Sequence, residues 1–222
     1  MPIRKVPFVP NEFYHVYNRG NSHQIIYKTD ADYARFMSLL YLANGTTAFD
    51  FREIEADQVF DFERGEQLVA IGAYCLMPNH FHILITPLVE GGVTTFMAKL
   101  ATGYSMYFNK KHHRTGSLFE GRFKSEHAND DDYLKYLFSY IHLNPVKLIQ
   151  SDWQQVGIKN GAETLEYLRQ YLYSSYADNN LIRPGSNILN REKFPEYFLD
   201  KKAYDTEMSE WLSYQDIETF KA

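Results

Sequence analysis

The chain has 222 residues, 45% of them hydrophobic and 23% charged, with a formal net charge of −5. That length buries a core without disulfides or metals to staple it, and the single cysteine, Cys75, excludes an internal disulfide and a cysteine-based zinc cluster. No apolar run reaches the ~18 residues that cross a bilayer, and the N-terminal MPIRKVPFVP has no apolar signal region, so the expectation is a cytoplasmic protein with no membrane partner.

The acidic balance speaks against a generic nucleic-acid binder, but the charge is unevenly placed. Residues 50–66 hold Asp50, Glu53, Glu55, Asp57, Asp61, Glu63 and Glu66 against Arg52 and Arg64. Residues 99–124 hold Lys99, Lys110, Lys111, Arg114, Arg122 and Lys124 against Glu120 alone. The middle of the chain can therefore present a basic surface. Eighteen tyrosines and sixteen phenylalanines supply core packing for the most part, with a minority able to stack on unpaired bases.

In chain order, residues 13–18 (FYHVYN) predict a strand, closed by a turn at Arg19-Gly20-Asn21. Behind an N-cap at Thr29 or Asp30, Tyr33, Phe36, Met37, Leu39, Leu40 and Leu42 follow helical spacing to about Ala43, and Asn44-Gly45 stops that helix. Residues 45–66 are acidic and weakly periodic, and predict an insertion or an extended hairpin. Residues 67–77 and 80–86 predict two antiparallel strands around the Pro78-Asn79 break. Residues 93–112 predict a long amphipathic helix with Phe96, Leu100, Gly103 and Tyr107 inward and Met106 beside them. A basic loop over 113–121 leads to a short strand at 122–128. A further helix over 130–144 opens on Asn129-Asp130-Asp131-Asp132 and ends before Pro145. The βαββαβ order predicts an α+β, ferredoxin-like (RRM-like) antiparallel sheet with helices on one face. Residues 1–150 form that domain, with the insertion at 45–66, and 151–222 form a mostly helical C-terminal extension.

Two patterns bear on chemistry. His80 and His82 begin a strand, so both point to one face while Phe81 packs into the core behind them. Two imidazoles so placed can share one cation, although two surface histidines would produce the same pattern. On the last helix, Tyr133, Tyr136, Tyr140 and Asn144 lie at i, i+3, i+7 and i+11, on one stripe. Tyr140 and Asn144, one turn apart, can converge on a point, as a nucleophile beside a metal ligand must. A tyrosine packing stripe would look alike, and by spacing alone Tyr133 and Tyr136 compete with Tyr140.

A tyrosine with a pKa near 10 is a poor nucleophile at neutral pH. A divalent cation on a phosphate neutralises charge and polarises the phosphorus. Two histidines and an amide oxygen suit Mn²⁺, and Mg²⁺ with retained waters. Attack by tyrosine on DNA forms a covalent link that conserves the bond energy for rejoining.

Several stretches together are similar to the single-tyrosine HUH (IS200-like) transposases, and most to the REP-associated tyrosine transposases. They are YHVYNRGN at 14–21, DYARFMSLL at 32–40, AYCLMPNHFHILI at 73–85, YFNKKHHRTGSLFEGRFKS at 107–125, YLFSYIHLNPVK at 136–147 and YSSY at 173–176. The resemblance implies nicking and rejoining of single-stranded, hairpin-containing DNA through a 5′-phosphotyrosine, that is, DNA transposition. It implies His80 and His82 as metal ligands for Mg²⁺ or Mn²⁺, Tyr140 as nucleophile, and Asn144 where similar proteins carry a third ligand. Arg19, Arg114, Arg122 and Lys124 lie in matching segments and are candidate DNA contacts. Relatives act as monomers or as homodimers. The segment 45–66 is longer, and the charge less basic, than the family pattern. His15, His23, His112, His113 and His127 have no role in this scheme, and His142, on the helix side away from Tyr140, is structural. Two other functions fit the same residues: a non-catalytic single-stranded nucleic-acid-binding module, and a metal-dependent phosphodiesterase using activated water.

Overall fold

The computed structural model describes residues 7–179, 185–196, 204, 206–208 and 210. Four strands, β1 (Phe13–Arg19), β2 (Val69–Met77), β3 (His80–Pro87) and β4 (Lys124–Ala128), form one antiparallel sheet in the order β2-β3-β1-β4. Helix α1 (Asp30–Leu42) joins β1 to β2, and α2 (Gly92–Lys111) joins β3 to β4. Element order and sheet order are both those of the ferredoxin-like expectation. Helix α3 (Asp131–Leu143) follows, then the short α4 (Val146–Ile149) and α5 (Trp153–Val156), and α6 (Gly161–Gln170).

Strand alternation divides the core in two. On one face Val16, Ile71, Tyr74, Leu76, Phe81, Ile83 and Ile85 meet Phe36, Leu40, Phe96, Leu100 and Tyr104 from α1 and α2. On the other Ala73, Cys75, Met77, Leu84 and Ala128 meet Leu134, Leu137, Phe138 and Ile141 from α3. The two helices between strands thus share one face, and α3 covers the opposite one. Every residue of β2 is buried, and a strand apolar on both sides needs cover on both sides. A bulge between Ile71 and Ala73 preserves the division along β2. Gly72 occupies it, where a Cβ would come within 2.8 Å of the Phe194 ring.

Local chemistry explains the helices. Thr29 and Asp32 form a capping box at the start of α1, and Asp130 caps α3 by accepting from the Tyr133 amide at 2.8 Å. Helix α2 buries Phe96, Met97, Leu100, Tyr104 and Phe108. Its inward stripe is therefore rotated from the predicted one: Tyr104 is buried, Tyr107 lies at the rim and Met106 is 69% exposed. Tyr107 instead donates to Asp32 at 3.1 Å. Residues 45–66 form no strand, so the hairpin alternative is not adopted. They carry one 3-10 turn, Val59–Asp61, and fold back over α1, with Arg64 buried above the Tyr41 ring at 3.9 Å. Beyond α6, the 173–175 backbone runs along β2, through Leu76 N–H to the Tyr173 carbonyl and Ser175 N–H to the Tyr74 carbonyl, both at 2.9 Å. That cover protects an otherwise open sheet edge.

Asp32 ties this face together. Fully buried, it accepts from the Lys28 and Thr29 amides, from Lys111 Nζ at 2.8 Å and from His112 Nε2 at 3.1 Å. Burial pushes its carboxyl up, but the Lys111 bond, the Lys28 amide and His112 outweigh this and hold it down at about 2. A depressed carboxylate stabilises the fold fully above its unfolded value of about 4 and loses that contribution as pH falls toward the folded value. Asp32→Ala should lower unfolding free energy by about 3 kcal/mol in urea titrations, because it strands a part-buried lysine. It should also flatten the stability profile between pH 4 and 2. A loss under about 0.5 kcal/mol, as for an ordinary surface site, would contradict this role.

Candidate active site

The site is built by register. In the β1–β3 pairing Arg19 lies opposite His80, Tyr17 opposite His82 and His15 opposite Leu84. Paired residues share a face, so Arg19, Tyr17 and His15 join His80 and His82 on the face that α3 covers. In the β1–β4 pairing Glu126 lies opposite His15 and Lys124 opposite Tyr17, which brings a carboxylate from the edge strand to the same surface. Phe81 points into the other core and is 1% exposed, as the alternation predicts.

The histidines are neutral, and their hydrogen bonds define which nitrogen is free. His80 Nδ1 lies 2.6 Å from Asn79 Oδ1. Asn79 donates its amide nitrogen to the His23 carbonyl at 3.4 Å, so Oδ1 is the acceptor and His80 Nδ1 bears the proton. His80 Nε2 then keeps its lone pair. His82 Nδ1 lies 2.8 Å from His15 Nε2, and His15 Nδ1 lies 3.8 Å from Glu126 Oε2, beyond hydrogen-bond range but within an ion-pair contact. The arrangement that uses the carboxylate runs protons one way: His15 Nδ1–H toward Glu126, His82 Nδ1–H to His15 Nε2. That also leaves His82 Nε2 as a lone pair. Such outer carboxylate and imidazole partners are what orient histidine ligands in metal sites. Burial, with the charges of Lys147 and Arg19, lowers the His80 pKa to about 4. Burial, followed by His15, His80 and Lys147, pushes His82 well down. Glu126 is held at about 2, chiefly by His15 against burial, with help from the Tyr17 and Tyr133 hydroxyls at 2.7 and 3.2 Å.

Helix α3 lays its tyrosine stripe over this surface. Tyr133, Tyr136 and Tyr140 stack in series at centroid spacings of 6.0 and 5.7 Å. Of the three, Tyr140 meets the histidines: its ring stands edge-on to His82 at 5.7 Å and to His15 at 6.2 Å. The Tyr133 hydroxyl is committed to Glu126. Burial, with Glu126 and Cys75, raises the Tyr140 pKa; burial, Tyr140 and Glu126 raise that of Tyr136 to about 12. Asn144, one turn on, donates Nδ2 to the Tyr140 carbonyl at 2.9 Å, while its buried Oδ1 has no partner. An orphaned buried carbonyl oxygen is costly, and a cation is one partner that would satisfy it. Among the described residues no group of three or more His, Cys, Asp or Glu could hold a metal. A cation held by two histidines would need a further ligand of another type, and the Asn144 oxygen is such a group.

The expected DNA contacts are dispersed. Arg19 reaches the His80 side but is held by Glu120 through Nε and through Nη2 at 2.9 Å. Arg114 is turned back on α2, donating to Asn109 Oδ1 at 2.8 Å. Arg122 and Lys124 are exposed around the start of β4, where they line a cleft of about 1080 Å³ with Phe8, Asn18 and Phe123 that neither His80 nor His82 lines. His142 is fully buried and bonded to Ser175 Oγ at 2.6 Å and to Tyr204. His15, Tyr17, Glu126 and Lys147 were not visible as site residues in the sequence. Only strand register, or the helix turn after Pro145, brings them to the pair.

Residues 52–144 are similar to the family model described as "Transposase IS200 like", a span that contains β2 to α3 and both histidines, Tyr140 and Asn144. Among solved structures, the chain is similar to one titled "Structure of the REP associates tyrosine transposase bound to a REP hairpin", at TM-score 0.51 and 13% identity, over 81% of this chain and 85% of that one. At that identity the likeness shows the fold. No curated protein matches the sequence. No helix among the described residues is long and apolar enough to cross a membrane.

The imidazole chemistry is directly measurable. Ring ¹⁵N spectra should show His80 and His82 as neutral Nδ1–H tautomers at pH 7, with His80 protonating only near pH 4. A His80 midpoint near its ordinary value of about 6.5 would mean that α3 does not cover the pair.

Proposed function

We propose that the chain nicks and rejoins single-stranded, hairpin-containing DNA through a covalent 5′-phosphotyrosine at Tyr140, the chemistry of DNA transposition. The observation that supports this best is the edge-on approach of Tyr140 to His82 at 5.7 Å, beside an amide oxygen on Asn144 that has no protein partner. His80 Nε2, His82 Nε2 and Asn144 Oδ1 would hold one divalent cation, Mg²⁺ or Mn²⁺. Such a cation, when bound, neutralises charge on the scissile phosphate and favours the phenolate.

The protein groups have separate tasks. Glu126 and His15 keep the His82 Nδ1–H in place, so that Nε2 faces outward. Asn79 does the same for His80. The Tyr140 oxygen bonds to phosphorus, the bond from phosphorus to the 3′ oxygen of the preceding nucleotide breaks, and that oxygen leaves as a 3′-hydroxyl. The proton lost by the phenol is balanced by the one gained there. Rejoining is the reverse, with an incoming 3′-hydroxyl releasing Tyr140. Burial raises the phenol pKa, so Tyr140 stays neutral until a phosphate arrives. Helix α3 also shields the linkage from water, which favours rejoining over hydrolysis. Arg122 and Lys124 suit contacts with DNA flanking the cut.

The test is a denaturing gel of protein incubated with Mn²⁺ or Mg²⁺ and labelled single-stranded DNA carrying inverted repeats from the flanks of its gene. Wild type should form an adduct; Tyr140→Phe should form none, His80→Ala should lose at least ~10²-fold in rate, and EDTA should abolish it. Cleavage that persists in Tyr140→Phe would establish water as nucleophile. Metal-independent binding without an adduct would establish a binding module.

A further inference from the structure

We propose that Lys147 binds the DNA phosphate that enters between the histidine pair and Tyr140, an inference that rests on the function proposed above and adds a contact to it. Lys147 lies on α4, which begins directly after Asn144-Pro145. Its amide donates to the Asn144 carbonyl at 3.2 Å, and its neighbour Val146 is fully buried in the core beneath α3. The residue is thereby anchored on the same turn as the orphaned Asn144 oxygen. Its charge is felt at both His80 and His82.

What distinguishes Lys147 is the absence of a partner. Other part-buried cations, and Arg19 near the site, have partners: Lys111 has Asp32, Arg19 has Glu120, Lys99 has the Gly45 carbonyl at 2.5 Å, Arg64 has the Tyr41 and Asn187 carbonyls, and Arg35 lies over the Phe51 ring at 3.4 Å. Among the described residues, the half-buried Lys147 ammonium has no hydrogen bond and no carboxylate. Glu126, the acid at this surface, is already engaged by His15, Tyr17 and Tyr133. Burial accordingly lowers the Lys147 pKa. A desolvated cation without a counter-ion is unfavourable, and here the titratable groups that feel its charge are two neutral imidazoles. An anion entering that space relieves the penalty, and a phosphodiester is the anion this surface is otherwise arranged to receive. The ammonium, a compact three-donor point charge, suits a phosphate whose oxygens redistribute during transfer.

The experiment compares Lys147 with Lys147→Gln and Lys147→Arg in the Tyr140→Phe background, which holds DNA uncut. The probes are the inverted-repeat single strand and the same strand with a neutral methylphosphonate at the wild-type cut position. Lys147→Gln should weaken binding to the natural strand about tenfold and reduce the salt slope of log affinity by about 0.7, the value for one phosphate contact on a single strand. It should add no further loss on the methylphosphonate. Lys147→Arg should restore most of the slope. With Tyr140 present, Lys147→Gln should form adduct at least ~10²-fold more slowly. An unchanged salt slope, or equal loss on both strands, overturns the assignment even where wild type forms adduct. A reduced slope with no adduct in wild type supports the phosphate contact and overturns the nicking reading instead.

Discussion

The antiparallel register of β1 against β3 is the constraint on which the rest of the site depends. Because side chains alternate with period two, a slip of one residue would send His15, Tyr17 and Arg19 into the opposite core. The observed pairing puts Tyr17 beside His82 and Arg19 beside His80, and the same strand pairs on its other edge so that Glu126 meets His15. The register is held by the apolar partners on the reverse face, where Val16, Phe81, Ile83 and Ile85 are all 1% exposed or less. Packing of one face therefore dictates the chemistry of the other.

The second face is electrostatically poised. Covering it with α3 removes water from two imidazoles, a stack of phenols and an ammonium, and each responds in the direction that keeps it neutral. The histidines are driven down and the tyrosines up, while Glu126 is held down by the neighbouring His15 and by two tyrosine hydroxyls that donate to it. Low local polarity makes every added charge count for more. A phosphate and a cation arriving together would meet an orphaned amide oxygen, two imidazole lone pairs and an unpaired ammonium.

The segment after α6 has a structural part in this. Ser175 bonds the Tyr74 backbone of β2 on one side and His142 of α3 on the other. The edge strand and the tyrosine helix are thus pinned by one buried hydroxyl, and the His142 ring is held against Phe138, Tyr176 and Tyr204. Position of the tyrosine stripe over the histidines is set from both ends of α3, by the Asp130 cap at its start and by this network near its finish.

Much of this was legible in the chain itself. Apolar alternation and punctuation by Pro78-Asn79, Asn44-Gly45 and Asn129-Asp130 located all four strands and the three main helices, because those signals are local. The His80–Phe81–His82 alternation and the Tyr136–Tyr140–Asn144 spacing are local too, and they marked which residues could act together. Residues 45–66 showed no clear period and form irregular backbone rather than a hairpin, and the α2 stripe was misaligned by a residue because Tyr104 and Tyr107 are equally apolar on paper. Only contact with α1 buries one of them and turns the other toward Asp32. His15, Glu126 and Lys147 were out of reach for a stronger reason. They lie 67 positions before, 44 after and 65 after His82 in the numbering of the chain, and nothing in their own neighbourhoods distinguishes them from surface residues. Local periodicity determined which elements form and which faces they offer. The meeting of those faces, and with it the neutral imidazoles, the His15–His82 hydrogen bond and the unpaired ammonium, was decided by long-range strand pairing and helix burial, which no short stretch of sequence contains.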